Sequence, residues 1–232
     1  FLGELAPILP NRELTLYDTA VVSRGWEQKR LRQLYDLATG TTRLQILSWE
    51  SMSMRTMPRD VLLRAAFRLE TGSEYPLDTL LERLVQSGYS RCSMVEGPGQ
   101  FALRGGILDI FSPAADAPIR AEFFGDELDT MGYFDPETQR RTENIDSIVI
   151  LPVGETQPRL HPLGIDGLCK DLHSMISRQK RRKNLNEPLI NTLERDLEKY
   201  EYSLSNPASD RYMALICPGP TTAMDYVPSD AL

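Results

Sequence analysis

Between residues 89 and 151 the sequence breaks into six short runs in which apolar and polar side chains alternate. They span 89–96, 100–104, 107–111, 119–124, 128–134 and 145–151, with Gly-Pro-Gly, Ser-Pro and Gly-Asp among the breaks. Strands so closely spaced make an antiparallel sheet. Ahead of them, Leu77, Leu80, Leu81, Leu84 and Val85 recur at helical spacing, and Gly88 stands just past them where a left-handed residue ends a helix. Residues 67–70 alternate as a further strand. One helix on a curved sheet of about five strands gives an α+β domain of roughly 90 residues.

The flanks read differently. Residues 14–17 suggest a strand, 26–37 an amphipathic helix stopped at Gly40, and 43–47 a second strand. Strand, helix, strand implies a parallel α/β unit, with half of its sheet missing ahead of Phe1. Beyond Pro152, helices are expected over 165–178 and 187–204, and a loop-like tail from Pro218. The expected division is therefore 1–58, an incomplete α/β region; 59–151, the α+β domain; and 152–232, mostly helical. The chain opens Phe-Leu-Gly-Glu with no initiator Met and no signal segment, so it reads as a piece of a longer cytosolic protein. No window of about 18 residues is free of charge, so no membrane span is expected.

Most chemistries are excluded by residue type. A formal net charge of −7 argues against nonspecific DNA binding as the main task. Cys92, Cys169 and Cys217 stand far apart, and with His161 and His173 as the sole histidines no metal site is expected. No Gly-Lys dipeptide exists, which removes the phosphate-cradling loop, and Gly97-Pro98-Gly99 is followed by Ala102 where a dinucleotide fingerprint needs glycine. Asp126, Glu127 and Asp129 cluster, but Gly125-Asp126 reads as a hairpin tip where carboxylates are solvated. No Ser-His-Asp or Cys-His arrangement is persuasive. We expect no catalytic residues and no cofactor. Residues 178–183 carry five positive charges in six positions, which reads as a solvated helix end or a nucleic-acid contact.

Strand alternation singles out one surface. In residues 119–124, Ile119, Ala121 and Phe123 share one face, while Arg120, Glu122 and Phe124 share the other. In 101–104, Phe101 and Leu103 point inward and Arg104 outward. Arg104, Arg120 and Phe124 are thus expected to be exposed, with Phe101, Ile119 and Phe123 buried. Arginine and phenylalanine on an open sheet face are residue types of binding hot spots, and an isolated surface Phe is the ordinary alternative.

The same residues carry a resemblance. Val95-Glu96-Gly97-Pro98-Gly99-Gln100-Phe101-Ala102-Leu103-Arg104-Gly105-Gly106-Ile107-Leu108-Asp109-Ile110-Phe111 and the run from Ile119 to Glu127 resemble the amino-terminal module of bacterial transcription-repair coupling factors (Mfd) and domain 2 of the excision-repair protein UvrB. Phe134-Asp135-Pro136 through Arg140 resembles the coupling-factor version, although Met131-Gly132-Tyr133 stands where that family more often has a basic residue. The resemblance implies a UvrB-like module of domains 1a, 2 and 1b, in which domain 2 docks the damage-recognition ATPase UvrA. It also implies that Arg104, Arg120 and Phe124 make the contact. RNA polymerase, DNA and ATP-driven translocation would belong to other domains of a longer, cytoplasmic protein. The rival reading is a nucleic-acid-binding module using 178–183 and the arginine face.

Overall fold

A computed structural model of the chain describes residues 6–12, 25–42, 44–202, 206, 208–219 and 221–228. The strand expected at 14–17 lies outside the described residues. By packing, the described residues form two compact units: those within 6–12, 25–155 and 221–228 make one, and those within 156–219 the other. As expected, the fold is mixed, with a central, mainly antiparallel sheet and packed helices.

The first unit begins with strand β1 (Ile8–Leu9), helix α1 (Gly25–Thr39) and strand β2 (Ile46–Leu47). β1 pairs with β2 in parallel, the arrangement a strand-helix-strand order favours. Two short helices follow, α2 (Trp49–Ser53) and α3 (Arg59–Ala65), too short for apolar periodicity to distinguish from loop. In α1 the apolar stripe buries Leu31 and Leu34. Arg30, nominally on the polar side, is buried as well. Its Nε donates to Glu155 at 2.8 Å, and its other nitrogens donate to the Pro10 carbonyl and the Thr56 hydroxyl, both at 2.8 Å.

Strand β3 (Phe67–Glu70) and helix α4 (Leu77–Gln86) come next. The main sheet then runs in sequence order through β4 (Ser90–Arg91), β5 (Gln100–Arg104), β6 (Ile107–Ile110), β7 (Ile119–Phe124), β8 (Glu127–Phe134) and β9 (Arg141–Asn144). It has six strands, one more than expected, because 141–144 pairs although its side chains are mostly polar and exposed. β4 and β5 are parallel and the remaining neighbours antiparallel. Strand β10 (Ser147–Ile150) does not join this sheet; it pairs with β3 in a separate antiparallel ribbon. The core lies on one side of the main sheet, where Leu80 and Leu84 of α4 meet Phe101, Leu108, Ile119, Ala121 and the ribbon residues Leu69 and Ile150. The tail contributes to this unit too. Thr222 bridges to Arg55, and buried Tyr226 donates its hydroxyl to the Met57 carbonyl at 2.6 Å.

The second unit is helical. Helices α5 (Gly164–Lys180) and α6 (Glu187–Glu201) pack through Leu168, Leu172 and Ile176 of one and Ile190, Leu193 and Leu197 of the other. A single turn, α7 (Met213–Ile216), completes it. Buried Asp196 accepts from Tyr212 at 2.6 Å and from Arg211 at 2.9 Å. The basic run 178–183 covers the end of α5 and the turn after it, mostly exposed, with Lys180 paired to Glu194 at 2.7 Å.

Candidate partner-docking interface

The outer face of the sheet is built by register. β5, β6 and β7 place Ala102, Asp109 and Arg120 side by side in one row, and Arg104, Ile107 and Glu122 in the next row toward the hairpin tips. Arg104-Gly105-Gly106-Ile107 is a two-residue hairpin. A side chain at Gly106 would place its Cβ 2.7 Å from the Phe123 carbonyl oxygen, so glycine lets β7 close against this turn. Phe124, the last residue of β7, stands at the same end of the sheet and is 83% exposed.

The face is not bare. Val95, Ala102 and Phe134 form a second small buried cluster on it, with Cys92 and Phe111 packed alongside. The chain between β4 and β5 therefore covers one end, and the hairpin end remains open. Ile107, 38% exposed, lies there with Arg104.

Asp109 sits at the centre of the charged group, its side chain 1% exposed. Its Oδ2 accepts from Arg104 at 2.6 Å and from Arg120 Nη2 at 3.0 Å, while Oδ1 accepts from Arg120 Nε at 2.7 Å. Arg120 is held further by Gln139, whose carbonyl and side-chain oxygens accept from it at 3.2 and 3.0 Å, and its guanidinium lies 4.5 Å over the Phe134 ring. The hydrogen bond to Asp109 drives its pKa further up, so this cation is permanent. Gln139 takes a left-handed backbone at φ 59°. The turn that carries it is tied by Asp135, whose Oδ1 accepts from the Glu137 and Thr138 amides at 2.8 Å.

The three residues singled out from the sequence thus differ. Phe124 is open to solvent, and Arg104 is half exposed at 49%, tethered through Asp109. Arg120 departs from the expected exposure. At 18% exposed, with four hydrogen bonds to Asp109 and Gln139, it is a structural cation with one edge outward. Phe101 and Ile119 are buried as expected, but Phe123 is only partly covered. Alternation leaves the burial of the last strand residues open, since the sheet ends there.

Asp109, Ile107 and Gln139 were not among the expected site residues. Asp109 had a readable signal: a carboxylate between core residues Leu108 and Ile110 must point to the arginine side. Gln139 had none. A further arginine arrives from the neighbouring strand. Arg141 passes over Gly132, where a Cβ would meet the Glu143 carbonyl oxygen at 2.5 Å and the Arg141 side chain at 3.1 Å, and it donates to Glu122 at 2.8 Å. That supplies a positive charge beside the stretch 131–133, which lacks a basic residue.

The acidic group at the hairpin tip has a structural use. Asp126 accepts from the Leu77 amide at 3.3 Å, at the start of α4. Among the described residues, no group of three or more His, Cys, Asp or Glu side chains is arranged to hold a metal, and no helix is long and apolar enough to cross a membrane.

Comparison with known proteins points to the same segment. Residues 67–155 match the family described as the UvrB interaction domain. A transcription-repair-coupling factor of Myxococcus xanthus is 34% identical over 158 residues, 65% of this chain and 13% of that protein. Those of Bacillus subtilis (strain 168) and Staphylococcus aureus (strain MRSA252) are 27% and 30% identical over 227 residues, covering 97% and 96% of this chain. The chain spans 13–19% of the length of these relatives.

Proposed function

We propose, from the premise that this chain belongs to the transcription-repair-coupling factor family and carries its UvrB interaction domain at 67–155, that it is a non-catalytic adaptor. In this reading the outer face of the β4–β9 sheet docks UvrA, and Arg104, Arg120 and Phe124 form the contact. The observation that carries it is the combination of an 83% exposed Phe124 with a half-exposed Arg104 at one end of the sheet, inside the matched domain. An exposed aromatic beside a directed guanidinium is what an interface anchor requires, because its burial on binding supplies most of the affinity.

Several finer elements belong to the same proposal. The adaptor would bring UvrA to sites of stalled RNA polymerase by occupying the surface on UvrA that UvrB uses. Contacts with RNA polymerase and DNA, and ATP-driven translocation, would lie in the remainder of a longer cytoplasmic protein. The modular division 1–58, 59–151 and 152–232, corresponding to domains 1a, 2 and 1b, goes with this reading.

Titration of the 232-residue chain against purified UvrA, with and without DNA and at two salt concentrations, tests it. Saturable binding that needs no DNA and weakens in Arg104→Ala and Phe124→Ala is expected. Binding that requires DNA and collapses steeply with salt would replace the adaptor by a nucleic-acid module.

A further inference from the structure

Docking of a partner on this face would depend on where its arginines hold their charge, and one buried group between them sets that. We propose that Asp109 is the positioning residue of this face, its carboxylate fixing both Arg104 and Arg120. The inference rests on the docking reading for its consequence, but its physical content lies in the free protein.

A carboxylate in the middle of a strand, 1% exposed, is costly unless every oxygen is paired. At Asp109 both oxygens are used, and both partners are guanidiniums on the neighbouring strands. Two arginines on strands flanking a third otherwise repel and swing apart into water. A shared carboxylate between them cancels one charge and holds the two at a fixed separation. The restraint is unequal. Arg120 is fixed by Asp109, Gln139 and the Phe134 ring, whereas Arg104 is fixed through Asp109. Arg104 therefore keeps N–H groups for a partner while its direction is already set. Ordering it before the encounter removes rotamer entropy that binding would otherwise have to overcome.

Asp109→Asn keeps the shape and one acceptor while removing the charge. Affinity for UvrA is expected to fall about tenfold in Asp109→Asn and about tenfold in Arg104→Ala. The double variant should fall by about the same tenfold, because the aspartate acts through the arginine. A double variant weakened by the product, about a hundredfold, or an Asp109→Asn variant that binds as the parent does, would overturn the proposal. A structural role alone would not produce that non-additivity.

A measurement without partner separates this proposal from the docking reading. In the free wild-type chain, the Arg104 Nη–H and Arg120 Nε–H signals that donate to Asp109 should be sharper and slower to exchange than the corresponding signals of the exposed Arg182. Arg104 should lose this restraint in Asp109→Asn, while Arg120 keeps the part that Gln139 and the Phe134 ring supply. If UvrA fails to bind the wild type, these signals still decide the role of Asp109. If Asp109→Asn does not fold, Arg120→Ala decides it: Arg104 should remain restrained there, held by the aspartate, and an Arg104 as mobile as Arg182 refutes the assignment.

Discussion

At the scale of residues, neighbours in sequence are expected to fail in different ways. Phe124→Ala removes a side chain that touches solvent, so melting temperature should stay within the change expected of about 0.5 kcal/mol, while UvrA affinity drops by about 1–4 kcal/mol. Phe123 packs partly against the core, so Phe123→Ala should cost about 2–3 kcal/mol of stability, less than a fully buried phenylalanine. Calorimetry and binding on the two variants check the pair; a Phe124→Ala variant that unfolds removes it from the interface. The two arginines should separate likewise. Arg104→Ala leaves Asp109 with its bidentate partner and should barely change stability. Arg120→Ala leaves Asp109 and Gln139 short of donors and uncovers the Phe134 ring, and should cost about 1–3 kcal/mol by urea unfolding. Equal stabilities for the two variants would contradict the geometry.

At the scale of elements, the turn between β8 and β9 governs one edge of the face. The Thr138 amide, and then the Glu137 amide, stabilise the Asp135 carboxylate and lower its pKa. A lowered folded-state value means that this contribution is fully present above the unfolded carboxyl value of about 3.9 and is lost as pH falls through the folded one. The Thr138 amide shift and the Arg120 Nη–H signals that donate to Gln139 should therefore be flat from about pH 7 to 5 and move together in more acidic solution. Movement near neutrality would assign the turn to another group. Within the strands that this turn joins, Gly132→Ala should destabilise the domain by about 1–3 kcal/mol, because the added Cβ meets backbone that cannot turn aside. Loss of the Arg141–Glu122 contact should accompany it in the side-chain spectrum.

At the scale of the whole molecule, buried charge holds distant segments of the first unit together. Arg30 and Glu155 are both 0% exposed, 125 positions apart in sequence. Glu155 also accepts from the Met57 amide at 3.3 Å. Glu155→Ala leaves a buried guanidinium without its counter-ion, and a loss of about 3–5 kcal/mol in chemical denaturation is expected. A loss below about 1 kcal/mol would mean that water reaches the pair.

Local pattern and long-range packing divide the molecule between them. Short-range pattern was enough for helix α4, the strands β5 to β8, the two-residue hairpin at Gly125-Asp126 and the sidedness of Phe101, Arg104, Ile119 and Arg120, because side-chain period and turn chemistry act over a few residues. Membership of the family was equally legible, in the runs 95–111 and 119–127. Which segments meet is a different matter, and it needed the folded chain. The pairing of β3 with β10 apart from the main sheet, the return of Tyr226 to Met57, the burial of Arg30 and the sharing of Asp109 by two arginines all depend on contacts between distant segments or adjoining strands. The polar strand β9 joins the sheet through backbone pairing that its side chains do not announce. Alternation gives the side on which a residue stands; register and the partner opposite decide whether that side is open, covered or clamped, which is why Arg104 and Arg120, alike in pattern, end in different states.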